Sequence, residues 1–133
     1  MRIEYLLGAF GGAFGDTNLS RDDGDDMLTQ HAIDEAVRRA VAAAYAPCRV
    51  IVFGSYARGD ADEGSDLDLM VIEREVPSKG EELLRLNRAI GWVGKGVDVL
   101  VYSEQEFDRR SQVPGTAPYW ARTEGKVMYD CAA

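Results

Sequence analysis

The spacing of apolar positions along the chain changes several times, and each change marks a predicted element. From Met27 onward, Leu28, Ile33, Val37, Val41 and Ala44 recur at helical spacing, with Asp34, Glu35, Arg38 and Arg39 on other faces. A helix is predicted there, ended by Pro47. Arg49-Val50-Ile51-Val52-Phe53 is a short β-branched run stopped by Gly54 and predicts a buried strand. A Gly/Asp-rich loop follows from Gly59 to Ser65, and Leu67, Leu69, Met70, Val71 and Ile72 predict a second strand. Pro77 to Gly80 reads as a turn, and Leu83, Leu84, Leu86 and Ile90 as a helix. Val97-Asp98-Val99-Leu100-Val101 predicts a third strand. Ser103 with Glu106 has the form of a capping box opening a short helix. A last helix is expected around Ala117–Thr123, ending at Gly125, with an edge strand over Lys126–Tyr129.

Residues 1–26 are different in kind. Gly8, Gly11, Gly12 and Gly15 interrupt any regular element, and Asp22, Asp23, Gly24, Asp25 and Asp26 form an acidic run. This segment is expected to be a flexible or loosely packed extension, leaving 27–133 as the domain. At 133 residues the chain has the length of one domain, too short for a catalytic domain plus a separate substrate-recognition domain.

Charge narrows the functional classes. The net charge is -8 and the sequence pI about 4.6, which argues against an extensive nucleic-acid-binding face. The imbalance is concentrated: residues 1–35 hold eight acidic and two basic side chains, against fifteen and thirteen in the remainder. Cys48 and Cys131 have no metal-ligand spacing and read as two reduced thiols. No apolar run is long enough to span a bilayer, and Glu4 stands where a signal peptide carries positive charge, so a cytoplasmic protein is expected.

Three features carry candidate chemistry. Gly54-Ser55 follows a strand directly. A chain leaving a strand into a helix presents backbone N–H groups that favour a phosphate, and glycine lets that backbone approach closely. A plain turn has the same appearance. Asp66-Leu67-Asp68 places two carboxylates on one side of a strand while Leu67 and Leu69 face the other. Side by side they repel unless a cation neutralises them, and a hard ion such as Mg²⁺ suits carboxylates, waters and substrate phosphates. A solvated strand end reads the same way. Asp98 interrupts an apolar strand, where a carboxylate is costly unless paired, metal-bound or facing solvent. Together the three are the parts of a two-metal phosphoryl-transfer site.

The run Ile51-Val52-Phe53-Gly54-Ser55-Tyr56-Ala57-Arg58-Gly59, then Asp66-Leu67-Asp68-Leu69 with ten residues between Ser55 and Asp66, resembles the signature of the DNA polymerase β-like nucleotidyltransferase superfamily. Within it the chain is similar to the minimal nucleotidyltransferases, over roughly residues 27–130 and including the closing Glu124-Gly125-Lys126-Val127-Met128-Tyr129. The resemblance implies that Gly54 and Ser55 bind triphosphate oxygens, with Arg58 near the phosphates or in a surface salt bridge. It implies that Asp66 and Asp68 ligate two Mg²⁺ ions, and that Asp98 ligates the catalytic ion and accepts the acceptor's proton. ATP is the expected donor. Many minimal members are antitoxins that add AMP to a tyrosine of an all-helical HEPN-type toxin, which makes such a partner the expected acceptor. Two alternatives stay open: transfer to a small-molecule hydroxyl, as in aminoglycoside nucleotidyltransferases, with homo-dimerisation supplying the missing wall; or neutralisation of a partner by binding alone. The fold expected is α/β (α+β in some schemes), a small mixed sheet flanked by helices, with Gly54, Ser55, Asp66 and Asp68 on a hairpin-like pair and Asp98 on the third strand. His31, Tyr56, Trp92, Tyr119 and Trp120 are read as packing or surface residues.

Overall fold

A computed structural model describes residues 28–132 of the chain. The extension expected over 1–26 lies outside the described residues. Helix α1 (Gln30–Ala43) is capped by Thr29, whose hydroxyl accepts from the Ala32 amide at 3.1 Å. Strand β1 (Pro47–Phe53) runs into the single turn α2 (Ser55–Arg58), and β2 (Leu67–Glu73) returns beside it. Helix α3 (Lys79–Ile90) leads to β3 (Val97–Ser103). Helices α4 (Glu104–Arg110) and α5 (Ala117–Glu124) precede β4 (Lys126–Asp130). The serine half of the predicted capping box is formed, with Ser103 Oγ accepting from the Glu106 amide at 3.1 Å, while the Glu106 carboxylate pairs with Lys79 and Arg110.

One boundary is corrected. Pro47 does not end the first helix: α1 stops at Ala43, Ala44 is already extended, and Pro47 opens β1. Two buried carboxylates take over the backbone there. Glu82 accepts from the Tyr45 amide at 2.9 Å and Glu73 from the Ala46 amide at 2.8 Å. Those amides are satisfied without helix carbonyls, so the helix has no hydrogen-bonding reason to continue. Burial pushes the Glu73 carboxyl above its ordinary range, while the Ala46 amide and the charge of Arg85 draw it partly back.

The strands form one four-stranded sheet in the order β3-β2-β1-β4. β1 pairs antiparallel with both β2 and β4, and β2 pairs parallel with β3, so the sheet is mixed as expected. A parallel pair needs a crossover, which α3 supplies. One face of the sheet presents Val50, Val52, Leu67, Leu69, Val71, Val99 and Val101 to α1 and α3. The other presents Ile51, Met70, Ile72 and Tyr102 to Phe107 of α4 and Ala121 of α5. Because helices cover both faces of the central strands, β1 and β2 read in sequence as continuous apolar runs rather than alternating ones. Leu67, Leu69, Met70 and Ile72 are fully buried, and each such side chain contributes about 1.5–3 kcal/mol of burial.

Gly125 fixes how closely the α5–β4 corner approaches β1. Its backbone angles are ordinary, but a Cβ there would lie 2.4 Å from the Ala121 carbonyl oxygen and 2.5 Å from Ile51 Cγ2. Both neighbours are held by secondary structure. Gly125→Ala is therefore expected to cost about 1–3 kcal/mol, measured as a lower denaturation midpoint at unchanged slope. An unmoved midpoint would mean that the corner is looser than described.

Candidate active site

The carboxylate site is built by strand register. Asp68 and Asp98 are direct partners across the parallel β2–β3 ladder, and Phe53 is the partner of Asp68 across β1–β2. Paired residues on neighbouring strands project from the same face. Asp68 and Asp98 therefore share the face that carries Met70, Ile72, Leu100 and Tyr102 further along, where α4 and α5 cover it. At the amino ends of β2 and β3 that cover gives out. Asp98 is exposed there and Asp68 half-buried, while Leu67 and Leu69 point into the opposite core. Asp66 stands just before β2, exposed, in the space left by Gly96: a Cβ on Gly96 would lie 3.3 Å from Asp66 Oδ1. The Leu67 amide donates to the Gly96 carbonyl at 3.1 Å and holds the two strand starts together.

The Gly-Ser turn closes the third side. Gly54 has φ +76°, and a Cβ on it would fall 2.2 Å from Asp68 Oδ2. Only glycine fits at a backbone that both takes this angle and lies against the carboxylate. Ser55 begins α2, and no side chain caps that turn. The Gly54 carbonyl accepts from the Ala57 and Arg58 amides at 3.0 Å, which winds the turn and leaves its leading N–H groups without partners inside the helix. Tyr56 packs against the core, and its hydroxyl accepts from the Leu28 amide at 3.0 Å, tying the turn to the entrance of α1.

Burial and like charge act together on Asp68. Burial first, then the neighbouring charges of Asp98 and Asp66, push the Asp68 carboxyl above its ordinary range, and Arg58 pulls it partway back. Arg58 is itself occupied, pairing with Asp60 at 3.3 Å and Glu124 at 3.6 Å. Of the two readings made of it in the sequence, the structure shows the surface ion pair, and its charge reaches Asp68. Among the described residues, no three His, Cys, Asp or Glu side chains converge as a ready-made metal cage.

Several contributors were not legible from the motif. Lys95 is buried, 9% exposed, and its Nζ donates to the Glu63 carbonyl, pinning the Gly59–Ser65 loop to the segment before β3. The available signal was Gly94-Lys95-Gly96 immediately ahead of a strand. Asp62 organises the same loop, accepting from the Gly64 amide at 2.9 Å, while Ser65 Oγ accepts from the Asp62 amide at 3.0 Å. Ser65 thus has a structural task within the motif. His31 is exposed on α1. A cleft of about 300 Å³ between β1, α4 and α5, lined by Arg49, Ile51, Phe107, Ser111 and Arg122 among others, contains none of the five residues of the Gly-Ser and aspartate set.

Comparison with known proteins bears on this arrangement. Residues 34–116 match the family model of the nucleotidyltransferase domain. Over 34 residues the chain is 56% identical to a Methanocaldococcus jannaschii protein provisionally assigned as a protein adenylyltransferase. That stretch is 26% of this chain and 34% of the relative, so about a third of the relative's length is matched. Among solved structures, a provisionally assigned nucleotidyltransferase from Sulfolobus solfataricus superposes with a TM-score of 0.50 at 20% identity, covering 78% of this chain and 91% of that one. A toxin–antitoxin complex with AMP-PNP superposes with a TM-score of 0.51 at 18% identity, covering 73% and 72%. At these identities the two structures speak to the fold. The family match spans more than half the chain and includes every aspartate of the site, so the chain belongs to the nucleotidyltransferase domain family.

Proposed function

We propose that the chain is a Mg²⁺-dependent protein adenylyltransferase that moves AMP from ATP to a tyrosine hydroxyl of a HEPN-type partner, in an antitoxin role. The observation that carries the transferase reading is the register that sets Asp98 beside Asp68 on one sheet face, with Gly54 packed against the Asp68 carboxylate. The donor set is all oxygen, and its charges repel one another without a cation, which fits Mg²⁺. An incomplete protein cage fits as well, because Mg²⁺ is commonly held by one or two carboxylates plus waters and substrate phosphates.

Asp66 and Asp68 would hold both ions, and Asp98 the one nearer the acceptor. Bound ions would supply charge neutralisation of the triphosphate and of the departing pyrophosphate. The chain's own groups do the rest. Gly54 and the Ser55 hydroxyl, with the leading amides of α2, hold triphosphate oxygens. Arg58 adds positive charge at the rim. Asp98, the exposed carboxylate, meets the acceptor hydroxyl and takes its proton. The acceptor oxygen bonds to the α-phosphorus as the bond to the bridging oxygen breaks and pyrophosphate leaves. The protein acceptor is supported by the provisional assignment of the Methanocaldococcus relative, and the toxin partner by the resemblance to minimal nucleotidyltransferases.

The test is to incubate the chain with α-labelled ATP, Mg²⁺ and the product of its neighbouring gene. Label on a partner tyrosine, absent with Asp68→Asn, is the expected result. Label only on small hydroxyl compounds would replace the acceptor with a small molecule. Neutralisation that survives Asp68→Asn would mean contact alone, and no transfer from any nucleoside triphosphate would remove the reading.

A further inference from the structure

We propose that Cys48 and Cys131 are a modification site: an oxidisable dithiol that closes into a cross-strand disulfide when a low-molecular-weight disulfide is present. The two cysteines stand 83 positions apart in sequence yet are neighbours in space. The Cys131 amide donates to the Cys48 carbonyl at 2.9 Å, continuing the β1–β4 ladder one step beyond the Arg49–Asp130 pair. Both are free thiols, with Sγ atoms 3.8 Å apart. A disulfide needs an S–S distance of about 2.0 Å and Cα atoms about 4.4–6.8 Å apart. Opposed residues on antiparallel strands meet the second requirement at about 4.5–5.5 Å. Side-chain rotation supplies the rest, with no movement of either strand.

The surroundings assign an order to the two sulfurs. Cys131 is only half-buried and open to a small reagent, whereas Cys48 is 7% exposed. The Cys48 thiol donates to a Glu104 carboxylate oxygen at 3.1 Å. Burial, then the Glu104 and Cys131 contacts, hold that thiol up at about 12, so it is not the first attacker. The Cys131 thiolate attacks the small disulfide, forming a mixed disulfide and releasing one small thiolate. Cys48 then loses its proton to base in the alkaline buffer, its sulfur attacks the Cys131 sulfur, and the second small thiolate leaves and takes up a proton. The two protein thiols are oxidised and the reagent is reduced to two thiols. Cys48 is six residues along β1 from Gly54, about 20 Å in a strand, so closure does not reach the carboxylates and leaves nucleotidyl transfer unchanged.

The experiment treats the full chain with oxidised glutathione in mildly alkaline buffer. It then quenches with acid, denatures, alkylates with N-ethylmaleimide and records the intact mass. The expected product is lighter by two hydrogen atoms and takes no alkyl group, whereas the untreated chain takes two. Its melting temperature should rise by several degrees, reversibly with dithiothreitol, because the link closes a long loop in the unfolded chain. Cys131→Ser should prevent closure, and Glu104→Gln, which removes the negative charge holding the Cys48 thiol protonated, should speed it several-fold with the same end point. A persistent glutathione adduct, two alkylations after treatment, or a disulfide-linked dimer would overturn the proposal. A fall in melting temperature would overturn the claim that the strands need not move. None of these readouts depends on transferase activity.

Discussion

Replacing Asp68 by asparagine is expected to abolish nucleotidyl transfer while making the metal-free protein more stable. Asp68 is the carboxylate between the other two: Asp98 is its ladder partner, Asp66 is two residues before it, and Gly54 lies against it. Losing a residue that merely orients a metal ligand typically costs 10–100-fold, so losing the carboxylate proposed as the central ligand should cost at least about a thousand-fold in rate. The stability change has the opposite sign. The Asp68 carboxyl sits above its ordinary range chiefly because of burial, and then because of its like-charged neighbours, so its ionised form opposes folding. For such a group the native state holds its proton to higher pH than the unfolded state, and stability falls as pH rises through the raised value. Asparagine carries no charge to destabilise. Its melting temperature should exceed the native one by a few degrees at neutral pH without divalent ions. The difference should close on acidification toward the ordinary carboxylate range, where Asp68 itself is neutral. Mg²⁺ with a non-hydrolysable nucleotide should then raise the native melting temperature and leave the variant's unmoved. A variant that is no more stable than the native chain at any pH would mean that the three charges do not oppose folding.

Gly54→Ala is expected to lower transfer by about a hundred-fold or more, since misplacing a reacting group by about 1 Å has that scale of effect. Two causes coincide. The residue would have to hold φ +76°, and its Cβ would fall 2.2 Å from Asp68 Oδ2, driving the carboxylate out of line. Gly59→Ala separates them. Gly59 has φ +89°, but no atom lies within 4 Å of where its Cβ would stand, so alanine there bears the strain without the collision. Both variants should lose about 1–2 kcal/mol of stability, but only Gly54→Ala should lose most of its rate. Equal loss of activity would show that backbone strain alone, and not the contact with Asp68, matters.

What the sequence made legible follows from how far apart the determining residues lie. Gly54, Ser55, Asp66 and Asp68 stand at short fixed spacing, so turn and strand geometry alone orient them. Asp98 announced itself as a charge in an apolar strand, and the parallel ladder sets it opposite Asp68. That pairing itself was invisible, because a register between strands separated by a helix depends on tertiary packing. The same limit hid the nearness of Cys48 to Cys131, the burial of Lys95, and the reach of Glu73 and Glu82 to the backbone after α1. The misread end of the first helix belongs with these. Pro47 looked like a helix stop by local rules, but two side chains distant in sequence had already redirected the chain.

The ladder between β2 and β3 ties catalysis to folding. A slip of one residue in β3 would turn Asp98 toward α1 and α3, bury an unpaired carboxylate there, and bring Val97 and Val99 out on the opposite side. Such a slip would be penalised by the apolar interior long before chemistry was tested. Insertions between Ile90 and Val97, outside both strands, escape that penalty as long as the Lys95 and Gly96 contacts survive. Variation in length is therefore tolerable in the connections and lethal within the strands, whichever acceptor the enzyme serves.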